Sequence, residues 1–157
     1  MSVRNCEEIG VNLQKIMNRL FENENLIKLL YYTDKDPYSH NEIDFKKNGF
    51  IQKEIYEKLI KISPRVGPKE TANSIIVIKV AGGSTDNNNS EFKNIKIDIE
   101  TFVPLTQWII KDDNLRPFAI MGEIQKSLNG KTINGLGKMQ GGDFALNFLT
   151  EEISAYI

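Results

Sequence analysis

Two carboxylates in the middle of the chain have a spacing that can hold divalent metal ions. Asp98 and Glu100 stand two residues apart in a stretch, residues 94–103, where isoleucines alternate with charged residues. The alternation predicts a strand with one buried and one exposed face, and it places both carboxylates on the exposed face. Metal ions held there would activate water for hydrolysis. A solvated strand face is the simpler interpretation, and we favour it.

Residues 98–101 (DIET) resemble the first motif of the proofreading-type 3′–5′ exonucleases. The resemblance implies a metal-dependent nuclease in which Asp98 and Glu100 bind the metal. The chain departs from that family because this strand does not open the domain and the sole histidine, His40, lies upstream. Further acids are present without the expected partners: Asp112, Asp113 and Asp143. The nuclease is therefore kept as the alternative function from another class.

A phosphate-binding loop is suggested by residues 130–132, which read Gly-Lys-Thr. Such a loop needs a glycine at the position of Gln125 and a helix after it, whereas the predicted helix comes before it. We therefore expect a turn that ends a helix. The glycine-rich residues 135–142 do not match GxGxxG, and we expect them to allow close approach between strands.

A metal or acid–base cluster can be drawn from Asp34, Asp36, Ser39 and His40. A single histidine without a second histidine or a cysteine is a weak metal-binding set. Asp and Ser near a proline more often make local turn hydrogen bonds, which is what we expect here. Cys6 adjoins two glutamates, which disfavour its thiolate. We predict no catalytic residue, no cofactor and no metal site, and hence no enzyme.

The composition limits the chain to a few classes of protein. Its 157 residues, 40% hydrophobic and 26% charged, suit one folded domain with a sizeable core. A net charge of -1 gives no bulk attraction to nucleic acid or an anionic membrane. One cysteine and one histidine exclude an internal disulfide and the usual zinc sites. Neither a membrane span nor a signal peptide is predicted, so we expect folding in a reducing cytoplasm.

Helices are predicted before and after the stretch that carries Asp98 and Glu100. Apolar residues at spacings of three and four predict one helix from about residue 9 and a second after Asn23 or Asn25. A further helix is predicted over residues 115–128, with Asn114 as N-cap. Residues 50–62 fit a helix, which we favour, although the alternation in Ile60-Lys61-Ile62 also suits a strand.

Strands are predicted between and after these helices. Residues 74–81 predict a largely covered strand, which forms an antiparallel hairpin with residues 94–103 across a polar loop, residues 82–91. A strand, a glycine turn and a last strand follow from Thr132. We expect an α+β fold, an antiparallel sheet of about four strands flanked by two or three helices. Residues 1–157 form one domain, helical over about 7–62 and built of sheet and helix over about 73–157.

The order of short segments resembles a family. The segments are residues 29–39 (LLYYTDKDPYS), 62–70 (ISPRVGPKE), 96–110 (KIDIETFVPLTQWII) and 116–130 (RPFAIMGEIQKSLNG). This pattern is similar to the small neck proteins of tailed bacteriophages, of the head–tail connector and tail terminator type. The resemblance implies an α+β subunit repeated around the virion axis in a ring of six or twelve copies. Such rings cap the tail tube or join it to the portal.

The resemblance therefore gives the expected function, partners and location. We expect a tail terminator, with a head-closure or adaptor protein as the alternative position, and a host regulatory or scaffold domain as a third hypothesis. Its partners would be copies of itself and neighbouring tail-tube and neck or portal proteins. DNA would pass through without sequence-specific binding, no membrane would be bound, and the protein would reside in the virion after synthesis in the bacterial cytoplasm. The expected interface residues are Trp108, Phe102, Asp86, Asn88 and Tyr38, with a place in the core as an equal alternative for Trp108.

Overall fold

The computed structural model describes residues 6–41, 43, 59–62, 73–86, 89–133, 136–142, 146–148 and 153–156. Within them lie three α-helices: α1 (Cys6–Phe21), α2 (Glu24–Tyr31) and α3 (Arg116–Leu128). The strands are β1 (Ile60–Ile62), β2 (Ile75–Asp86), β3 (Asn89–Pro104), β4 (Thr132–Ile133), β5 (Gly137–Lys138), β6 (Leu146–Phe148) and β7 (Ile153–Tyr156). Short 3-10 turns occupy Pro37–Ser39, Leu105–Gln107 and Lys111–Asp113. The α+β class is confirmed. No helix in this part of the chain is long and apolar enough to cross a bilayer.

The helices form where the apolar spacing predicts them. In α1 one face is buried and carries Leu13, Ile16, Met17 and Leu20. Helix α2 begins after Asn23, whose Oδ1 accepts a hydrogen bond from the Leu26 N–H at 3.1 Å, as an N-cap does.

Helix α3 differs at its start from the prediction. Its N-cap is Leu115, without a side-chain hydrogen bond, and Asn114 Oδ1 instead accepts from the Leu115 N–H at 2.8 Å. The helix ends at Leu128, and Gly130 follows with φ +71°, a left-handed conformation that glycine adopts without strain. The Gly-Lys-Thr segment therefore follows the end of the helix as a turn at Gly130, as predicted, and its Thr132 begins β4.

The main sheet is mixed, with strand order β1-β2-β3-β7-β6, and β4 and β5 form a separate two-stranded sheet. Strand β1 lies parallel to β2, with Ile60 opposite Ile76, whereas the remaining pairs are antiparallel. The predicted antiparallel sheet of about four strands is thus corrected to a mixed sheet. The helix favoured for residues 50–62 is wrong at residues 60–62, and residues 50–58 lie outside the described part. Three residues are too few for periodicity to separate the two structures.

The β2–β3 hairpin is longer than predicted. Its register runs from Ile75 opposite Phe102 to Asp86 opposite Asn89, with an extra residue in β2 after Val80 and extra residues in β3 further out. Most of the predicted polar loop, residues 82–91, is therefore strand. Backbone pairing needs no buried side chains, so a polar sequence did not reveal it.

The core lies between the helices and the sheet. The apolar faces of α1 and α2 pack with isoleucines of β1 and β2. Val103 of β3 and Ile120 of α3 belong to the same core. Thr101 of β3 is also buried, and its hydroxyl has no hydrogen-bond partner among the described residues. This packing holds α2 and α3 side by side, where the buried side chain of Arg116 joins them.

Candidate functional site

Arg116 opens α3 and is fully buried, which is rare for a charged side chain. Its Nε donates to the Gln107 carbonyl at 2.8 Å, and Nη1 donates to the carbonyls of Leu29 at 2.6 Å and Tyr32 at 2.7 Å. Its Nη2 donates to the Asp34 carbonyl. Burial lowers the pKa of the Arg116 guanidinium, and the nearby Asp34 charge partly offsets this. One side chain thus joins α2, the turn after it and the turn before α3, and we call it the arginine anchor.

The arginine anchor is structural in its chemistry. Its N–H groups are directed at backbone carbonyls, and Leu29 lies in the last turn of α2, at the negative end of the helix dipole. Sequence reasoning missed this residue because a helical pattern assigns arginine to the surface. The available signal was its position immediately before Pro117, at the helix start.

The predicted cluster after α2 is a tightly bonded turn. Asp34 Oδ1 accepts from the Asp36 N–H at 2.8 Å, and Asp34 Oδ2 pairs with His40 Nε2 at 2.7 Å. The His40 ring stacks on Tyr32 with centroids 3.9 Å apart, and Ser39 Oγ donates to the Asp36 carbonyl at 2.8 Å. Desolvation raises the pKa of the Asp34 carboxyl, but the bonds from Asp36 and His40 outweigh it and bring the pKa below its ordinary value. The prediction of local turn hydrogen bonds is confirmed.

A second contact attaches this turn to the segment before α3. Lys111 Nζ lies 3.0 Å from Asp36 Oδ2, and the Lys111 N–H donates to the Lys35 carbonyl at 2.6 Å. The bond to Asp36 raises the pKa of the Lys111 ammonium. Asp112 and Asp113 follow with φ of 62° and 55°, conformations unusual for residues other than glycine. Within the described ranges, no three His, Cys, Asp or Glu side chains gather as a metal site would require.

Asp98 and Glu100 share one face of the sheet, but that face is not freely solvated. Their side chains are 17% and 13% exposed, which corrects the expectation of an open strand face. The reason is Lys79 of β2, which stands opposite Asp98 and whose Nζ bonds the Glu100 carboxylate. Lys96 Nζ lies 3.8 Å from Asp98 Oδ1. Each of the two carboxylates is thus paired with a lysine.

The five predicted interface residues lie in three different surroundings. Trp108 and Phe102 are half-buried and pack against the core. Tyr38 is 41% exposed, and desolvation together with the charge of Glu123 raises the pKa of its hydroxyl. Asp86 ends β2 opposite Asn89, and Asn88 lies outside the described residues.

The large apolar residues between positions 103 and 110 divide into two groups. Val103 and Ile110 are buried in the core, whereas Leu105 is 41% and Ile109 53% exposed. Phe118 in the first turns of α3 is 46% exposed, which the helical pattern did not indicate. Leu105, Ile109 and Phe118 are called the exposed apolar set below. They flank Arg116 in sequence, and the hydrogen bond from Arg116 Nε to the Gln107 carbonyl ties the segment between them to α3.

A polar cleft of about 410 Å³ separates the α1–α2 junction from the last turns of α3. Its acids and bases are matched: Arg19 pairs with Glu22, and Lys126 Nζ lies 2.6 Å from Glu123 Oε1. Asn23 crosses the cleft, donating to Glu123 Oε2 at 3.0 Å and to Ser127 Oγ at 2.9 Å. These bonds make the cleft a contact between helices rather than an open charged site.

The chain belongs to the YomW family, whose model matches residues 23–152. The family carries a phage-type name, so the chain is grouped with phage-related proteins. The match covers the arginine anchor, the β2–β3 hairpin and the exposed apolar set. No curated protein and no solved structure matches the chain.

Proposed function

We propose that the chain is a structural virion protein that forms a ring at the neck of a tailed phage. In this ring it acts as a tail terminator, capping the tail tube and joining it to the head. The observation that carries the proposal is the outer part of the β2–β3 hairpin, from Lys79 to Asp86 and from Asn89 to Glu100, which we call the arm. The phage-type family name supports the same class of protein.

The arm is a two-stranded ribbon within the described structure. Strand β1 pairs with β2 only at residues 76–78, and β7 pairs with β3 only at residues 101–104. Beyond these positions the two strands pair with each other alone. A lone two-stranded ribbon is marginally stable in water, so a surface of another chain would stabilise it. A neighbour in a ring supplies such a surface at every position.

A ring also requires a second surface, different from the first, because each subunit contacts its neighbour head to tail. The exposed apolar set supplies it. Contiguous apolar patches are typical of protein contacts, and we infer that these three exposed side chains contribute to one such patch. Trp108, beside Ile109, would anchor this contact from its half-buried position. The arm of one subunit would then pack on the exposed apolar set of the next.

The partners of this ring are six copies of the chain, or twelve, together with tail-tube and neck or portal proteins. DNA would pass through the ring without sequence-specific binding. The net charge of -1 gives no strong attraction that would hold DNA in the channel. The protein would be made in the bacterial cytoplasm, reside in the virion neck and bind no membrane.

The test is negative-stain imaging of the purified chain incubated with tail tubes and, separately, with portal-bearing heads of the phage. A ring at one end of each tube supports a tail terminator, whereas a ring bound to heads alone moves the protein to the head-closure or adaptor position. If no rings are seen on tail tubes or on heads, the proposal is wrong. Manganese-dependent nuclease activity that disappears in Asp98→Ala would replace it with the enzyme. Glu7→Ala, a change at an exposed residue of α1, is the matched control for that activity.

A further inference from the structure

The arm leaves one edge of β3 open. Strand β2 pairs with β3 along its length, and β7 covers the opposite edge only from Thr101 onward. Along residues 95–100 that opposite edge pairs with no strand of the described chain. Open edges present unpaired N–H and C=O groups, and native proteins usually cover or block them.

The side chains along this edge are self-complementary. Ile95, Ile97 and Ile99 are half-buried on one face of the ribbon, and Lys96 and Asp98 stand on the other face. On either side of Ile97 the next residue is charged, Lys96 before it and Asp98 after it, and the residue beyond that is an isoleucine. Because Lys96 and Asp98 have opposite charges, the segment is complementary to an antiparallel copy of itself.

We propose that this edge pairs with the same edge of a second copy, antiparallel and about a two-fold axis at Ile97. Each Lys96 then lies opposite Asp98 of the other chain, and each Ile95 lies opposite Ile99. Directly opposed residues in an antiparallel pair are close enough for opposite charges and apolar side chains to attract. The Lys96 side chain is 77% exposed and long enough to reach across.

Other registers are disfavoured by charge and by face. Moving the axis to Lys96 or Asp98 places two like charges directly opposite each other, which is destabilising. A shift by one residue turns the isoleucine face of one chain toward the charged face of the other. The register at Ile97 avoids both problems.

The fold around the edge leaves room for this pairing. The β2–β3 pairing shifts register twice between Val80, opposite Ile97, and Ser84, opposite Lys93: the first shift leaves an extra residue in β2 and the second an extra residue in β3. Bulges bend a ribbon and increase its twist. The proposed pairing requires that a bend at this point turn the tip of the arm away from β7 of the second copy, which occupies the edge beyond Thr101.

The free chain can pair in this way whether or not it forms the proposed ring. A copy that is paired has its arm occupied until the ring contact displaces its partner. A chain can therefore dimerise without forming rings, or form rings without this dimer, and the two failures are distinguishable.

The first test uses charge reversal, with association measured by sedimentation equilibrium. Lys96→Glu places two acids opposite each other, and Asp98→Lys places two lysines opposite each other, so each variant should dimerise about tenfold more weakly. An equimolar mixture should associate again as a heterodimer, because both cross-strand pairs then have opposite signs. Lys138→Glu, the same change at an exposed strand residue elsewhere, should leave association unaltered.

The second test fixes the register and holds even if Asp98→Lys fails to fold. In a Cys6→Ser background, Ile97→Cys should form an intermolecular disulfide under mild oxidation, because the two sulfurs meet on the axis. Ile95→Cys lies on the same face, but its copies are about 13 Å apart in this register and should not form one. The proposal would be overturned by a chain that is monomeric at its highest soluble concentration. It would equally be overturned by a disulfide that forms in Ile95→Cys and not in Ile97→Cys.

Discussion

Arg116 is charged and buried, so its hydrogen bonds decide whether its burial is tolerated. The guanidinium donates to carbonyls from three segments, and each of those carbonyls would lose its partner if the side chain were removed. We expect Arg116→Ala to lower the free energy of unfolding by about 3–5 kcal/mol, measured by urea denaturation.

Two further variants distinguish the contribution of the Arg116 hydrogen bonds from that of its positive charge. Arg116→Lys keeps the charge but cannot reach carbonyls on several sides at once, so most of the loss should persist. Arg19→Ala removes an exposed arginine that pairs with Glu22, and it should change stability by less than about 1 kcal/mol. Equal effects of Arg116→Ala and Arg19→Ala would show that the arginine anchor does not hold the fold.

Asp34 gives the chain an acid-dependent contribution to stability. Because its pKa is lower in the folded state than the ordinary 3.8, the contribution is complete above that pH and is lost as the pH falls through the folded value. The side chain is 48% exposed, so the contribution is small. We expect Asp34→Asn to be less stable than the wild type at neutral pH and to lose less stability on acidification. The urea midpoints of both proteins at neutral and acidic pH measure this difference. The same fall in midpoint for the wild type and for Asp34→Asn would contradict the prediction.

At the scale of the element, two glycines in and after α3 should respond oppositely to the same change. Gly130 has φ +71°, and Gly122 lies inside the helix, and a methyl group meets nothing within 4 Å at either position. Gly130→Ala should cost about 1 kcal/mol because alanine is strained at that angle. Gly122→Ala should add roughly 0.5–1 kcal/mol because alanine loses less backbone freedom in a helix. Thermal unfolding of both variants measures the two changes in stability. If both variants were stabilised or both destabilised, the helix would not end where the structure places its end.

The elements that sequence predicted well are those whose pattern is local. Helix α1 follows from its apolar spacing, α2 from the cap at Asn23, and the start of the hairpin from its isoleucines. Strand β1 was missed because three residues carry no distinguishable period, and its parallel partner is distant in sequence. The outer arm was read as a loop because its pairing is made by backbone atoms.

The same distinction separates the predicted and the missed residues of the candidate surfaces. The turn around Asp34 was predicted because its partners lie within six residues. Arg116 was not, since its partners lie up to 87 residues away. The partial burial of Asp98 and Glu100 also depends on a second strand, through Lys79. Which face of a strand is solvated is decided by the neighbouring strand, which the sequence of one strand does not contain.

For the whole molecule, the arm and the exposed apolar set have to be explained together. The arm needs a supporting surface and the exposed apolar set needs a cover, and a head-to-tail ring would meet both needs with one repeated contact. A two-fold pairing of arms meets only the first need. The free chain would therefore form dimers, and rings would form where a tube supplies additional contacts.

The apolar contact of the ring gives the last prediction, which rests on the proposed function. Ile109→Ser and Phe118→Ser each remove an exposed apolar side chain, and the backbone pairing of Ile109 with Leu115 remains possible with serine. We expect the free energy of unfolding to change by less than about 1 kcal/mol. Binding to tail tubes should weaken by about tenfold or more, because apolar anchors contribute most of the energy of such contacts. Val11→Ser on α1 removes a side chain that is 57% exposed and lies outside the proposed contact, so it should bind as the wild type does.

Pelleting with tail tubes measures binding. If all three variants pelleted like the wild type, the exposed apolar set would not be the ring surface, whereas loss of binding in Val11→Ser alone would move that surface to α1.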